Sequence, residues 1–194
     1  GVICFGAREG KQQTFALLDE WAPGARTMAR DEALAELAGR YFTSHGPAKL
    51  HDFVWWSGLP VSDARAAVEM AGPRIARETI GGQAYWLPSS TPPIKKAPLA
   101  SYLLPPFDEY TVAYKDRSAV LDPVYTRQVN SGNGIFSPTI VIGGRVVGIW
   151  KRAITKGGVI IRPEPFSELS AAETRAFSAA AKRYAKFMGA PAVF

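Results

Sequence analysis

The sequence contains few of the residues that bind metals or form covalent links. Cys4 is the only cysteine in 194 residues, so an intrachain disulfide cannot form, and two histidines with one cysteine argue against a dedicated zinc site. No apolar run reaches the roughly 18–20 residues that a membrane-spanning helix needs, and the first residues lack the charged start of a signal peptide. These absences predict a protein of the reducing cytoplasm that needs no metal or other cofactor and has no membrane partner.

The motifs of several common catalytic sites are also missing. The chain has no phosphate-binding GxxxxGK(S/T) or GxGxxG loop, no GxSxG nucleophile turn and no HExxH zinc helix. His45 and His51 have no neighbour at metal-ligand or nucleophile spacing. Asp108 and Glu109 follow two prolines, where acidic residues stabilise the start of a helix more often than they act as bases. The residues therefore predict no active site within this chain.

One long stretch of the chain carries positive charge only. The formal net charge is +6, and no acidic residue lies between Asp122 and Glu164. The basic residues of this stretch are Arg127, Arg145, Lys151, Arg152, Lys156 and Arg162. A region of one sign attracts a polyanion by electrostatic steering and by counterion release. We therefore favour a nucleic acid as partner over the alternative, a solvated sheet face that happens to be basic.

Residues 29–87 have the order of elements that is typical of a winged helix. The predicted elements are helices over 29–44, 48–56 and 61–71 and strands over 74–80 and 84–87. The two strands flank Gly81-Gly82, a pair suited to a tight hairpin turn. Three helices followed by a hairpin most often form a nucleic-acid-binding unit, in which the third helix fits a major groove.

The predicted fold class is α+β, with a winged helix over residues 25–88 and further parts on both sides. Residues 1–24 predict a hairpin, which is either the remnant wing of a preceding winged helix or an ordinary hairpin packed on the next domain. Residues 89–98 read as a proline-rich linker. Residues 99–194 predict a basic, β-rich domain in which an antiparallel β-meander is followed by a closing helix.

Two local patterns predict how aromatic side chains pack. Adjacent helix residues point about 100° apart, so Trp55 and Trp56 cannot form one stacking platform, and we expect both to pack in the core. The closing helix begins with a capping box of Ser170 and Glu173 and has an apolar face that ends at Phe187.

Basic and polar residues of the third helix and the hairpins are the candidate DNA contacts. Arg65 is the one basic residue on the third predicted helix, which is little for a helix that reads bases. We therefore expect contacts to come mainly from the hairpins, and to go to the phosphate backbone. The candidate DNA-binding residues are Arg8, Lys11, Lys49, Arg65, Arg77, Gln83, Arg145, Lys151, Arg152 and Lys156.

Several segments together resemble a bacterial family. They are GVICFG at 1–6, FALLDEW at 15–21, GPA at 46–48 with DFVWWSGL at 52–59, LLPPFDEY at 103–110 and NGIFSP at 133–138. This combination, which extends over essentially the whole chain, resembles the winged-helix DNA-binding proteins of the AlkZ/YcaQ glycosylase type. The resemblance implies tandem winged helices and a β-rich C-terminal part that bind duplex DNA. It also implies, for some members, excision of bulky alkylated bases or unhooking of interstrand crosslinks.

The catalytic signature that the resemblance implies, a Gln-x-Gln or Gln-x-Asp pair in the N-terminal part, has no match in this chain. Gln12 and Gln13 are adjacent, and Gln83 is followed by Ala84 and Tyr85. We therefore carry over no catalytic residue. We expect this chain alone to bind DNA without enzymatic activity, with the catalytic part in sequence that the chain does not contain.

The function expected from these observations is duplex DNA binding as the C-terminal part of a DNA-glycosylase-like protein, with a monomer favoured. Two alternatives stay open at this point. The first is a transcriptional regulator whose winged helix reads an operator without chemistry. The second is a module for protein–protein contacts, since winged helices also serve that purpose.

Overall fold

The computed structural model describes residues 2–90, 99–132 and 134–193. Most of the predicted linker, residues 91–98, lies outside the described residues. The helices are α1 (Leu18–Trp21), α2 (Arg30–His45), α3 (Leu50–Ser57), α4 (Val61–Ala71), α5 (Glu109–Val112), α6 (Thr126–Val129) and α7 (Ala171–Phe187). The strands are β1 (Ile3–Phe5), β2 (Phe15–Leu17), β3 (Ile75–Ile80), β4 (Gln83–Pro88), β5 (Ser101–Leu104), β6 (Thr139–Ile142), β7 (Arg145–Thr155), β8 (Gly158–Pro165) and β9 (Ala192–Val193). Within these described ranges, no helix has the length and hydropathy that a membrane span requires.

Helices α2, α3 and α4 and the β3–β4 hairpin confirm the predicted three helices and hairpin. Tyr41 and Phe42 of α2 and Phe53 of α3 are almost completely buried, with ring centroids 5.0–5.5 Å apart. Helix α4 faces this aromatic core with Ala64 and Ala67, both fully buried. Small side chains at a helix contact let the two axes approach closely, so α4 packs tightly along α2.

The β3–β4 hairpin turns through the two glycines that the sequence singled out. Gly81 and Gly82 have φ angles of 58° and 77°. A two-residue turn of this kind needs a positive φ at both positions, which glycine adopts without steric cost. Trp86 of β4 and Ala48, just before α3, exchange both backbone hydrogen bonds, at 3.0 and 2.9 Å. This short ladder fixes the hairpin against the helices.

The second half of the chain folds around a five-stranded sheet of order β5-β6-β7-β8-β9. The predicted meander is observed as β6, β7 and β8, each antiparallel to the next. After α7, strand β9 joins β8 in parallel. The predicted antiparallel meander and the helix after it are thus present, and strand β9 is an addition that the sequence analysis did not predict. A parallel neighbour needs a crossover connection, and α7 supplies it.

Apolar residues fill both faces of this sheet. Ile140, Trp150 and Phe177 belong to the core between the sheet and α7. Val141 and Val146, which lie opposite each other on β6 and β7, belong to a second core on the other face. Successive residues of a strand point to opposite faces, which explains why neighbours in sequence enter different cores.

Helix α7 confirms one part of its prediction and corrects another. The capping box of Ser170 and Glu173 is present, with the Ser170 side chain accepting from the Glu173 N–H. Phe187, expected on the buried face, is 84% exposed. It is the last residue of α7 and lines the rim of a surface groove beside Tyr184 instead of covering the sheet.

A polar junction connects the helices to the sheet, formed by residues 108–118 and the parts of α2 and α3 that they contact. Asp52 of α3 is 3% exposed. Its carboxylate accepts hydrogen bonds from the backbone N–H groups of Lys49, Lys115 and Asp116, at 2.9, 3.0 and 3.1 Å. One buried side chain thus joins the start of α3 to a segment more than sixty residues later in the sequence.

The two tryptophans of α3 also belong to this junction, so the expectation that both pack in the core is wrong. Trp55 is 53% exposed and Trp56 is 36% exposed. Their indole N–H groups donate to the Val112 carbonyl at 2.9 Å and to the Glu109 carboxylate at 3.1 Å. Segment 109–112 offers these acceptors at the helix surface, so both indole rings lie at the surface of the junction.

We expect Asp52→Asn to lower the free energy of unfolding by about 1–3 kcal/mol, because the amide has one acceptor oxygen and turns an N–H₂ toward buried donors. Urea unfolding followed by tryptophan fluorescence measures this change. Asp31→Asn is the matched control, because Asp31 is exposed on α2, and it should change stability by less than about 0.5 kcal/mol. Equal, small effects of the two substitutions would contradict the role given to Asp52.

Candidate nucleic-acid interface

A groove of about 480 Å³ runs between α4 and the β3–β4 hairpin. It is lined by Leu50, Arg65, Val68, Glu69, Arg77 and Trp86. Arg65 belongs to α4 and Arg77 to β3, and the Arg77 guanidinium lies 6.0 Å from the Trp86 ring centroid. The groove thus holds one cation on the helix and one on the hairpin beside an indole ring. Cations placed in this way suit contacts to phosphate and sugar.

The two groove arginines differ from other arginines of the same unit in having no carboxylate partner. Arg40 and Arg74 both form ion pairs with Glu36, at 2.7 and 2.6 Å. Among the described residues, no ion pair involves Arg65 or Arg77. The Glu69 carboxylate lines the same groove without an ion pair to either arginine, so the groove carries two cations and one anion, and a net positive charge is left for an external anion.

Three further candidates lie at hairpin turns and are exposed. Gln83 is the first residue of β4 and so belongs to the same hairpin as Arg77. Arg8 and Lys11 lie between β1 and β2, on a separate hairpin. Strands β1 and β2 and helix α1 contain no buried residue, and Phe5 is 67% exposed. The structure therefore places Gln83 at the turn of the hairpin that carries Arg77, outside the groove lining, and leaves Arg8 and Lys11 on a hairpin of their own.

Strand β7 carries the adjacent candidates Lys151 and Arg152 on opposite faces of the sheet. Arg152 lies on the α7 side, where its guanidinium donates to the Tyr184 hydroxyl and lies 5.7 Å from that ring centroid. Lys151 lies on the other face and pairs with Glu164 at 2.7 Å. Alternation along the strand separates two charges that are neighbours in sequence.

The remaining candidates of the acid-free stretch lie at the two ends of β7. Arg145 is the first residue of the strand, and Lys156 follows its last residue in the turn to β8. The strand has eleven residues, so roughly 33 Å of extended backbone separates them. The stretch that is uniformly basic in sequence therefore does not form one uniformly basic surface.

Lys49 lies in the junction and not on a free surface. Its Nζ is 2.6 Å from an Asp116 carboxylate oxygen and 5.4 Å from the Tyr85 ring centroid, and its side chain is 20% exposed. The hydrogen bond to Asp116 raises the pKa of Lys49. The same bond, with two from Ser118, holds the pKa of the Asp116 carboxyl well below its ordinary value of 3.8. A phosphate contact from Lys49 would have to compete with Asp116, and it stays a prediction.

The junction also brings together a set of polar side chains that the sequence patterns did not reveal. Glu109 Oε2 accepts from Trp56 Nε1 at 3.1 Å and lies 3.2 Å from His45 Nε2. The neighbouring Asp108 caps α5 by accepting from the Tyr110 N–H at 2.9 Å, which confirms the structural role predicted for the acidic pair. His45 and Glu109 are 64 residues apart in the sequence, so no local motif could have predicted that they lie together.

Comparisons with known proteins agree on one family. A family model described as "DNA glycosylase AlkZ-like" matches residues 1–187. A curated relative from Streptomyces sahachiroi, named "Interstrand DNA cross-link repair glycosylase", is 28% identical over 179 residues, which cover 87% of this chain and 47% of the relative. The solved structure of Streptomyces sahachiroi DNA glycosylase AlkZ shares the fold, with a TM-score of 0.77 and 24% identity over 98% of this chain and 54% of that chain. This chain therefore spans about half the length of both matches.

The Lys49–Asp116 pair predicts a loss of stability in acid. Because the folded state lowers the Asp116 pKa, its contribution is complete above the ordinary pKa of 3.8 and is lost as the pH falls below it. The carboxylate is 42% exposed, so we expect only about 1 kcal/mol. The difference in unfolding free energy between wild type and Asp116→Asn should be complete at pH 6 and smaller at pH 2, as measured by urea unfolding. The same difference at both pH values would contradict the assignment.

Proposed function

The chain belongs to the AlkZ-like DNA glycosylase family, and from this premise we propose that it binds duplex DNA within a glycosylase acting on bulky alkylated or crosslinked bases. The crosslinked substrate is supported by the printed name of the Streptomyces relative. The alkylated substrate is supported by the resemblance of the sequence segments to this family. The proposal covers the part of the function that residues of this chain perform, which is holding the duplex.

Within this proposal, residues 25–88 form a winged helix. Helix α4 is the third helix of the unit and faces the groove, and the β3–β4 hairpin is the wing. Residues 1–24 are the wing of a preceding winged helix, in keeping with a hairpin that buries none of its own side chains. Residues 99–194 are a second unit, joined to the first through the junction.

The observation that carries the proposal is the pair of arginines in the groove. Arg65 and Arg77 line one groove from two different elements, neither forms an ion pair among the described residues, and together they outnumber the one carboxylate of the lining, Glu69. Helix α4 has a single basic residue, which is too few for it to read bases well. The two arginines on opposite walls of the protein groove are instead suited to contact phosphates on either side of a DNA groove. We therefore assign this unit to holding DNA by its backbone.

The proposal assigns no catalytic residue to this chain. The Gln-x-Gln or Gln-x-Asp pair that the resemblance implies is absent from the sequence. The cluster around Glu109 is engaged in holding Trp56 and His45, and no metal-binding group of three or more suitable side chains occurs among the described residues. Base excision is accordingly assigned to residues that this chain does not contain.

We expect Arg77→Ala to weaken binding of a fluorescein-labelled duplex about three- to tenfold and to reduce the salt slope of the binding constant by about 1, since one phosphate contact is lost. Fluorescence anisotropy at several salt concentrations measures both quantities. Arg65→Ala should act in the same direction. Arg175→Ala is the control, because Arg175 is exposed on α7 away from the groove, and it should leave affinity and slope unchanged.

The same assay separates the alternatives. Tighter binding to a duplex that carries a bulky alkylated purine than to the undamaged duplex supports the glycosylase-like function. A strong preference for one undamaged sequence would support a regulator instead. Affinity that does not fall as salt rises, or no binding at low salt, would contradict both DNA-binding functions and favour a module for protein contacts.

A further inference from the structure

A surface groove of about 700 Å³, here called the β7 groove, lies where strand β7 extends beyond strand β6. Thr139, the first residue of β6, pairs with Ile149, and from Lys151 onward β7 pairs with β8 alone. The groove thus borders an edge of the sheet, and residues from both faces of β7 line it. Its volume lies in the range of sites that bind small molecules. The apolar part of its lining includes Leu103, Pro105, Pro106, Pro138, Trp150 and Phe187.

Three aromatic side chains form one wall of the β7 groove. The ring centroids of Trp150 and Tyr184 are 5.0 Å apart in an edge-to-face contact, and those of Tyr184 and Phe187 are 6.4 Å apart. Trp150 is buried, whereas Phe187, at the end of α7, is largely exposed at the rim. Exposed aromatic surface is stabilised when an apolar group covers it. The wall therefore favours an occupant with an aromatic ring.

The uncharged polar groups of the lining already have hydrogen-bond partners. Trp150 Nε1 and the Ser137 hydroxyl donate to backbone carbonyls, at 2.9 and 3.3 Å. The Tyr184 hydroxyl accepts from the Arg152 guanidinium. A ring with several polar atoms would lose its hydrogen bonds to water and find few replacements, which costs free energy. The groove therefore favours an apolar ring system.

The charge of the β7 groove is positive. Its described lining contains two cations, Lys151 and Arg152, and no carboxylate. Lys151 pairs with Glu164 outside the lining, at 2.7 Å. Arg152 forms no ion pair among the described residues. One positive charge is therefore left to attract an anion.

The Arg152 guanidinium is held in place with one side free. Its Nη1 donates to the Tyr184 hydroxyl and lies 3.9 Å from the Met188 sulfur, and its carbon lies 5.7 Å from the Tyr184 ring centroid. Its Nε and Nη2 make no hydrogen bond among the described residues. These two nitrogens form the side of a guanidinium that can donate to both oxygens of one carboxylate.

The junction contains a smaller cavity, of about 170 Å³, that does not share this charge. It lies between Tyr85 of the wing and Tyr110, whose hydroxyl donates to the Gly144 carbonyl in the β6–β7 turn. Its described lining contains two cations and two carboxylates, and two of these groups, Lys49 and Asp116, pair with each other. An arginine without an ion pair beside an aromatic wall therefore distinguishes the β7 groove.

We propose that the β7 groove binds a small molecule that has an apolar aromatic ring system and one carboxylate. The ring system lies against Trp150, Tyr184 and Phe187, and the carboxylate accepts from Nε and Nη2 of Arg152. A nucleotide fits less well, because its base carries several polar atoms and its phosphate carries more negative charge than one arginine neutralises. The inference goes beyond the proposed function, since it concerns a different groove and a different ligand. Binding breaks no covalent bond.

The test compares two probes that have the same pair of fused rings, the anion 2-naphthoate and the neutral alcohol naphthalen-2-ylmethanol. Two-dimensional NMR of the whole chain follows the Trp150 indole N–H and the backbone amides of Tyr184 and Phe187 during titration. We expect these signals to shift most. We also expect 2-naphthoate to bind at least about fivefold more tightly than the alcohol, because only the carboxylate forms a charge-assisted hydrogen bond with Arg152.

Arg152→Gln tests the role of the arginine. It should weaken 2-naphthoate binding about fivefold, to the level of the alcohol, and leave alcohol binding unchanged, because it removes the charge and the fork of donors. Arg175→Gln is the matched control, because Arg175 is exposed on α7 and does not line the groove, and it should keep the difference between the probes.

Equal affinity of wild type for the two probes, no binding of 2-naphthoate, or largest shifts at residues outside the groove would overturn the proposal. Unchanged 2-naphthoate affinity in Arg152→Gln would overturn it too. Tighter binding of deoxyadenosine monophosphate than of 2-naphthoate would identify the groove as a nucleotide site instead. None of these measurements uses a DNA duplex, so failure of the proposed function would leave their outcome unaffected.

A second variant covers the case in which Arg152→Gln does not fold, as judged by its circular dichroism. Phe187 is largely exposed, so we expect Phe187→Ala to fold normally. It should weaken the binding of both probes about threefold, since each loses the same apolar contact. Affinities equal to those of wild type would show that the ring does not lie against the aromatic wall and would overturn the proposal.

Discussion

The buried carboxylate of Asp52 is the interaction on which the arrangement of this molecule depends. It accepts three backbone N–H groups, one from the start of its own helix and two from residues 115 and 116. Backbone donors in the interior must find acceptors, and an irregular segment has no ladder to supply them. Asp52 supplies them from a helix, so the segment that leads into the sheet is held against the helical unit at one defined place.

Other contacts of the junction follow from that placement. Once residues 109–116 lie against α2 and α3, the carbonyls of Val112 and Ala113 accept from Trp55 and Tyr41. The Glu109 carboxylate reaches Trp56 and His45, and Lys49 reaches Asp116. The two units are thus joined by polar groups with specific partners, and the wing and the β6–β7 turn come to flank one small cavity.

The elements formed by local rules could be predicted from the sequence, and those formed by distant contacts could not. Apolar spacing located α2, α3 and α4, the Gly-Gly pairs located the turns of three hairpins, and Ser170 with Glu173 located the start of α7. The exposure of Trp55 and Trp56 could not be predicted, because their polar partners, Val112 and Glu109, come from a segment far along the chain. The pairing of Lys49 with Asp116, which affects a candidate site residue, depends on the same segment. Strand β9 is only two residues long and is held by its parallel pairing with β8. The sequence contains no local signal for that pairing.

The alternation of Lys151 and Arg152 on β7 has a consequence for how charge is distributed over the protein. Trp150 is buried under α7 and thereby sets the phase of the strand, so each following position belongs to a fixed side of the sheet. A change of charge at 151 alters the potential on one side, and a change at 152 alters it on the side of α7. Neighbouring codons therefore place charge on two different faces of the sheet, each with its own partner.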